Sequence, residues 1–129
     1  MKYLIFDIGG VLLTQGRVNE KMVELCRQLT QKGYRLGIIS NYSSVPREIS
    51  DLGLFYPILY YGQTRLLKPD SRLYQKFIDL ANVSASDCLL IDDSRVNVHR
   101  ALDFGMDAIY FVSQPKLRHE LILKLGTGL

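Results

Sequence analysis

Short apolar runs of strand length alternate with segments of helical period along this chain, and almost every run stops at a polar residue. Tyr3–Phe6 (YLIF) ends at Asp7, and residues 35–39 (RLGII) end at Ser40-Asn41. Residues 57–61 precede a loop carrying Lys68-Pro69, residues 88–91 end at Asp92-Asp93, and 108–112 is a fifth run. Continuous apolar runs this short, bounded by turn signals, read as strands buried on both faces. Between them lie helix signals. Asn19 caps a helix with Met22, Val23, Leu25, Cys26 and Leu29 on one face, closed by Gly33. Residues 46–52 form a short helix before Gly53, and Asp70 caps a helix carrying Leu73, Phe77, Ile78 and Leu80. Residues 96–104 form a helix stopped by Gly105, and Pro115 opens a last helix over 115–125. Strand–helix alternation of this kind predicts a three-layer, Rossmann-like α/β fold: a five-stranded parallel sheet with right-handed crossovers placing helices on both faces.

Size and composition narrow the classes further. The 129 residues, with no repeat, linker or low-complexity run, predict one domain over 1–129. A composition of 47% apolar and 22% charged residues is that of a globular chain, so a core can form without a disulfide or metal staple. No apolar run approaches the roughly 20 residues that span a bilayer, and MKYLIFDIGG reaches an aspartate too early for a secretory signal. Sixteen basic residues against thirteen acidic ones are scattered without a stripe, which argues against nucleic-acid binding. Cys26 and Cys88 lie outside any metal-binding spacing and read as buried reduced thiols, in keeping with a cytoplasmic protein. His99 and His119 read as solvated or partly packed helix residues, and Tyr56, Tyr60 and Tyr61 as sheet packing, with an interface there as the alternative.

Chemistry is concentrated at the strand ends. Asp7 to Ser40 is 33 residues, Ser40 to Lys68 is 28 and Lys68 to Asp93 is 25, each about one strand–helix unit. Parallel strands would bring all four clusters to one sheet edge, where ligands of such folds collect. Three carboxylates, a hydroxyl, an amide and an ammonium suit phosphoryl transfer. Asp7 would attack phosphorus and form an acyl-phosphate, and Mg²⁺ would offset the crowded negative charge. Lys68 would neutralise a phosphate oxygen, with Ser40 and the Asn41 backbone or side chain donating hydrogen bonds.

FDIGGVL, IISN, LLKPD and LLIDDSRVN, in that order, resemble the four motifs of the haloacid dehalogenase-like hydrolases over roughly residues 1–112. Within that superfamily the chain resembles the subfamily I branch of epoxide-hydrolase N-terminal domains and glucose-1-phosphatases. The resemblance implies that Asp7 is the nucleophile and a metal ligand, with the Gly9 backbone carbonyl as a second ligand. Ser94 and Asn97 align with the fourth motif, making Asp93 the direct metal ligand. Asp92 would stand behind it or position a metal-bound water. Ser40 and Asn41 would bind phosphate, and Lys68 would serve both phosphate binding and catalysis. Residues 9–18 match the flap that follows the first strand, with Gln15-Gly16 at its tip.

One position departs from the pattern. Phosphatases of this family usually carry a second aspartate two residues after the nucleophile, as general acid and base, and here that residue is Gly9. Such help is typically worth about 10²–10⁴ in rate. The expected activity is therefore a Mg²⁺-dependent phosphohydrolase with weakened acid–base catalysis. It would favour a good leaving group or draw help from the flap, where Thr14 and Gln15 are poor candidates. The alternative is a degenerate member that binds a phosphorylated ligand or partner protein without turnover. Receiver modules use similar residues, but their paired acids follow the first strand, the reverse of the order here. Dehalogenases of the family need a cap-borne pocket, and the gaps between motifs leave no room for a cap. Capless members resemble enzymes that act on large or protruding phosphates. An open site is also compatible with a homodimer whose second subunit covers it.

Overall fold

The computed structural model describes residues 3–129; Met1 and Lys2, which open the segment read above as non-secretory, lie outside the described residues. Five parallel strands form the central sheet: β1 (Tyr3–Phe6), β4 (Arg35–Ser40), β5 (Phe55–Tyr60), β6 (Cys88–Asp92) and β7 (Asp107–Tyr110). A two-stranded antiparallel flap, β2 (Leu13–Thr14) and β3 (Arg17–Val18), follows β1 and turns at Gln15-Gly16, within the span expected. The helices are α1 (Glu20–Gln31), α2 (Arg47–Ser50), α3 (Tyr61–Thr64), α4 (Ser71–Ala81), α5 (Arg95–Phe104) and α6 (Gln114–Leu125). No helix among the described residues is long and apolar enough to cross a membrane.

Strand order is β5-β4-β1-β6-β7, so the first strand is the middle of the sheet. The chain builds outward on one side of β1, then returns and builds outward on the other. That reversal leaves a crevice at the carboxyl end of β1, between the ends of β4 and β6. Burial follows the two-residue period of a strand. Leu4 and Phe6 face a cluster with Met22, Leu25, Cys26 and Leu29 of α1 and Leu117 and Leu121 of α6. Tyr3 and Ile5 face the opposite cluster, with Leu73, Tyr74 and Phe77 of α4 and Ala101 of α5. Both cysteines are buried free thiols, and both histidines are exposed, as the sequence suggests. Among the described residues no cap domain interrupts the layers.

The strands expected at 57–61 and 108–112 are placed differently, and the short helix expected over 46–52 covers only Arg47–Ser50. The third central strand starts two residues earlier and stops at Tyr60, because Tyr61–Thr64 turns into a helical segment. Pro57 lies where the β4–β5 register shifts, and an edge strand can accept the missing N–H there. The strand at 108–112 is shorter and earlier, Asp107–Tyr110.

Gly37 sits inside β4 because Phe77 packs onto its backbone: a Cβ there would lie 2.5 Å from Phe77 Cζ and 3.0 Å from the Pro57 carbonyl oxygen. Gly37→Ala should lower stability by about 1–3 kcal/mol, the usual cost of overpacking. Urea unfolding measures it, and an unchanged midpoint would contradict the packing described.

Candidate active site

Asp7 is the first residue beyond β1, and its N–H bonds to the Ile91 carbonyl at 3.0 Å, so it stands at the mouth of the crevice. Its Oδ1 accepts from the Ile8 N–H at 2.9 Å and from Lys68 Nζ at 2.8 Å. Among the described residues every donor to this carboxylate falls on Oδ1, which leaves Oδ2 for a ligand. Lys68 comes from the loop between α3 and α4 and is buried, with Nζ also 2.7 Å from Asp92 Oδ2. An ammonium has three donors. Two are committed to carboxylates, and one remains for a phosphate oxygen.

The position of Lys68 is set by Asn41. The Asn41 side chain accepts from the Lys68 N–H at 2.7 Å and donates to the Lys68 carbonyl at 3.3 Å, fastening the loop after β5 to the end of β4. Asn41 Oδ1 and one Nδ2 proton are thus taken, so its backbone N–H and second Nδ2 proton would be left to meet a phosphate. Ser40 is fully buried at the end of β4, and its Oγ accepts from the Tyr42 N–H at 3.0 Å. Its hydroxyl proton stays free to donate.

The two aspartates after β6 have opposite surroundings. Asp92 is fully buried, and its oxygens accept from Lys68 Nζ, from the Ser94 N–H at 2.9 Å and from Asn97 Nδ2 at 3.2 Å. Asn97 is in turn held by the Tyr74 hydroxyl on its carbonyl and by the Ser94 cap, so it orders the loop. Asp93 is exposed, and its carboxylate lies against Gly10, where φ is +79° and a Cβ would collide with Asp93 Oδ2. Oxygen atoms of Asp7, Asp92 and Asp93 all fall within 4.8 Å of one another.

Three carboxylates against one ammonium is an electrostatic deficit. Burial raises the Asp7 carboxyl most; Lys68 draws it back, while Asp92 and Asp93 push it up again, leaving it pushed up to about 7 from 3.8. An all-oxygen set this acidic fits a hard divalent cation such as Mg²⁺.

The crevice holds a cavity of about 160 Å³ bordered by Asp7, Gly9, Asn41, Tyr42, Lys68 and the Asp92–Asn97 loop. A larger hollow, about 430 Å³, opens between the start of α4 and α5, lined by Pro69, Asp70, Arg100 and Asp103 among others. Asp70 there is already paired with Arg72, whereas the smaller cavity is the one that Asp7, Lys68, Asp92 and Asp93 border. Thr14 and Gln15 lie exposed on the flap, away from the cavity's lining. Sequence reasoning overlooked Tyr42. Its hydroxyl oxygen stands 2.6 Å from where a Cβ on Gly9 would be, and ring atoms Cε1 and Cζ stand at 3.2 Å. The available signal was a hydroxyl-bearing aromatic directly after Ser40-Asn41.

A family model described as haloacid dehalogenase-like hydrolase matches residues 2–101, a span that includes all four polar clusters. The chain belongs to the haloacid dehalogenase-like hydrolases, a family of enzymes. Among solved structures it is similar to an uncharacterised protein of Corynebacterium glutamicum, with 26% identity and a TM-score of 0.84, over 99% of this chain and 97% of that one. A haloacid dehalogenase-like phosphatase of Thermococcus onnurineus shares the fold at 15% identity and TM-score 0.80, over 94% and 98% of the two chains. So does a family enzyme of Bacteroides thetaiotaomicron solved in complex with magnesium and inorganic phosphate, at 14% identity and TM-score 0.71, over 84% and 93%.

The raised Asp7 carboxyl has a consequence for stability. As pH rises from 3.8 toward 7, Asp7 ionises in the unfolded chain while the folded chain still holds its proton, so folding weakens across that window. In EDTA, wild type should lose more stability between these values than Asp7→Asn does. Thermal unfolding at a series of pH values measures this, and parallel profiles would refute the assignment.

Proposed function

We propose that this haloacid dehalogenase-like hydrolase is a Mg²⁺-dependent phosphohydrolase acting through an aspartyl-phosphate on Asp7. The observation that carries the reading is the ammonium of Lys68 held between Asp7 and Asp92, with the Asp93 carboxylate beside them accepting from no donor among the described residues. Asp7, Asp93 and the Gly9 carbonyl would hold the Mg²⁺, which when bound would supply positive charge to the carboxylates and the transferring phosphoryl group.

The remaining work falls to the chain itself. Lys68 fixes Asp7 Oδ1, so the carboxylate is oriented before substrate arrives and Oδ2 is presented for in-line attack. The Asp7–phosphorus bond forms as the bond to the leaving oxygen breaks. The third Lys68 proton, the Asn41 N–H and the Ser40 hydroxyl donate to phosphoryl oxygens as their charge builds. Water then attacks phosphorus, the acyl-phosphate bond breaks, and Asp7 is regenerated with release of phosphate. Asp92 keeps Lys68 and the loop at Ser94 in place through its three bonds. Without a cap, the crevice suits phosphates that protrude from larger molecules.

Mg²⁺-dependent release of phosphate from a panel of esters and acyl phosphates tests the reading, with Asp7→Asn beside wild type. Wild type should release phosphate and the variant should fall to background. Equal background rates in both would sink the enzyme, and Asp7-dependent binding of beryllofluoride without turnover would favour a binding-only protein, the reading that Gly9 invites.

The two acids after β6 should separate by a different measurement. Asp93→Asn should reduce the rise in melting temperature on adding Mg²⁺ while leaving the metal-free protein folded. Asp92→Asn should destabilise the metal-free protein itself, by about 3–5 kcal/mol, because it breaks a buried charge pair. The reverse pattern in thermal unfolding would exchange their roles.

A further inference from the structure

The missing acid at position 9 and the aromatic at position 42 occupy one place. A Cβ on Gly9 would meet Tyr42 Oη at 2.6 Å, so the phenol hydroxyl sits at the root of the volume an aspartate side chain would fill. Side chains at both positions cannot share that volume without the tyrosine moving aside. Tyr42 borders the same cavity as Asp7 and Lys68. Its backbone is not loose: the Tyr42 N–H is held by Ser40 Oγ at 3.0 Å, and the preceding Asn41 is clamped to Lys68 by two hydrogen bonds. Its ring lies on the Gly9 backbone, and its hydroxyl has no protein hydrogen-bond partner among the described residues, leaving it both to donate and to accept.

We infer that Tyr42 is the proton donor to the leaving group, taking over through its phenol the task that a carboxylic acid at position 9 would perform. The inference rests on the phosphohydrolase reading above. In the first half-reaction the Asp7 oxygen–phosphorus bond forms, the phosphorus–alkoxide bond breaks, and the Tyr42 Oη–H proton passes to the departing oxygen. In the second, a water oxygen bonds to phosphorus, the bond to Asp7 breaks, and a water proton returns to the Tyr42 oxygen. Tyrosine is among the side chains that serve as general acids. The need for it depends on the substrate: an alkoxide must be protonated as it leaves, whereas the carboxylate released from an acyl phosphate need not be.

That dependence supplies the test. Wild type and Tyr42→Phe, which keeps the ring over Gly9 and loses only the hydroxyl, are assayed with Mg²⁺ on acetyl phosphate and on a series of alkyl and aryl phosphates of graded leaving-group acidity. Tyr42→Phe should lower kcat/KM for alkyl phosphates by about 10²-fold, with the loss shrinking as the leaving group becomes more acidic and least for acetyl phosphate. In a Tyr42→Ala background, which clears the space, Gly9→Asp should restore alkyl phosphate turnover. A loss that is equal across the series, no loss at all, or no alkyl turnover by a wild type that hydrolyses acetyl phosphate would overturn the role of Tyr42 and leave the phosphohydrolase reading standing. Failure of wild type on acetyl phosphate as well would overturn both.

Discussion

A lysine ammonium taken out of water is tolerated only where opposite charge and hydrogen-bond acceptors meet it. Lys68 is such a group, with one carboxylate from the end of β1 and another from the end of β6 at 2.8 and 2.7 Å. Those two strands are neighbours at the middle of the sheet, while Lys68 arrives on a loop beyond the edge strand β5. The ion pairs therefore join pieces of chain 61 and 24 residues apart. They also dictate the character of the site. Once the ammonium has satisfied Asp92 and one oxygen of Asp7, negative charge is still in excess, and the crevice attracts cations before it can accept an anion.

Much of this arrangement was legible in the chain itself. YLIF before Asp7 and CLLI before Asp92 signal strands buried on both faces, and both strands form as read. The parallel topology follows from alternation with capped helices such as the one begun by Asn19, whose side chain accepts from the Met22 N–H. The convergence of Asp7, Lys68 and Asp92 follows from that topology. What escaped is what depends on side-chain direction. Nothing in IISN tells that the Ser40 Oγ also accepts from the Tyr42 N–H. For the adjacent pair Asp92-Asp93 only the motif resemblance set the two apart, and burial supplies the physical reason, with Asp92 enclosed among donors and Asp93 exposed. Tyr42 escaped because its partner is Gly9, a residue with no side chain, 33 positions away. Periodicity and motif spacing carry no information about space left empty. The edge of the sheet was also misread by a few residues, since Pro57 looks like a start signal but sits inside β5 at a register shift.

The absence of a side chain at position 9 thus has to be read together with what fills it. A glycine two residues after Asp7 lets a ring from the neighbouring loop approach the main chain, so the wall of the cavity is aromatic where an acid would make it charged. The floor stays ionic. The result is a crevice with a charged base and an amphipathic side, a combination that can hold both a phosphate and the less polar group attached to it.

Asn41 has a wider consequence. By taking both the N–H and the C=O of Lys68, one amide side chain does for two loops what a further rung of sheet would do. The turns after β4 and β5 are thereby made a single mechanical body, with Tyr42 on one limb and Lys68 on the other. Evolutionary change on this side of the crevice is correspondingly constrained. New residues can lengthen either loop beyond the clamp, but not between the clamp and the sheet without separating the lysine from its acids. The flap beyond β1 is outside this restriction. Novelty in substrate choice has its freest route there, by growth of a two-strand hairpin whose tip is exposed and does not border the cavity.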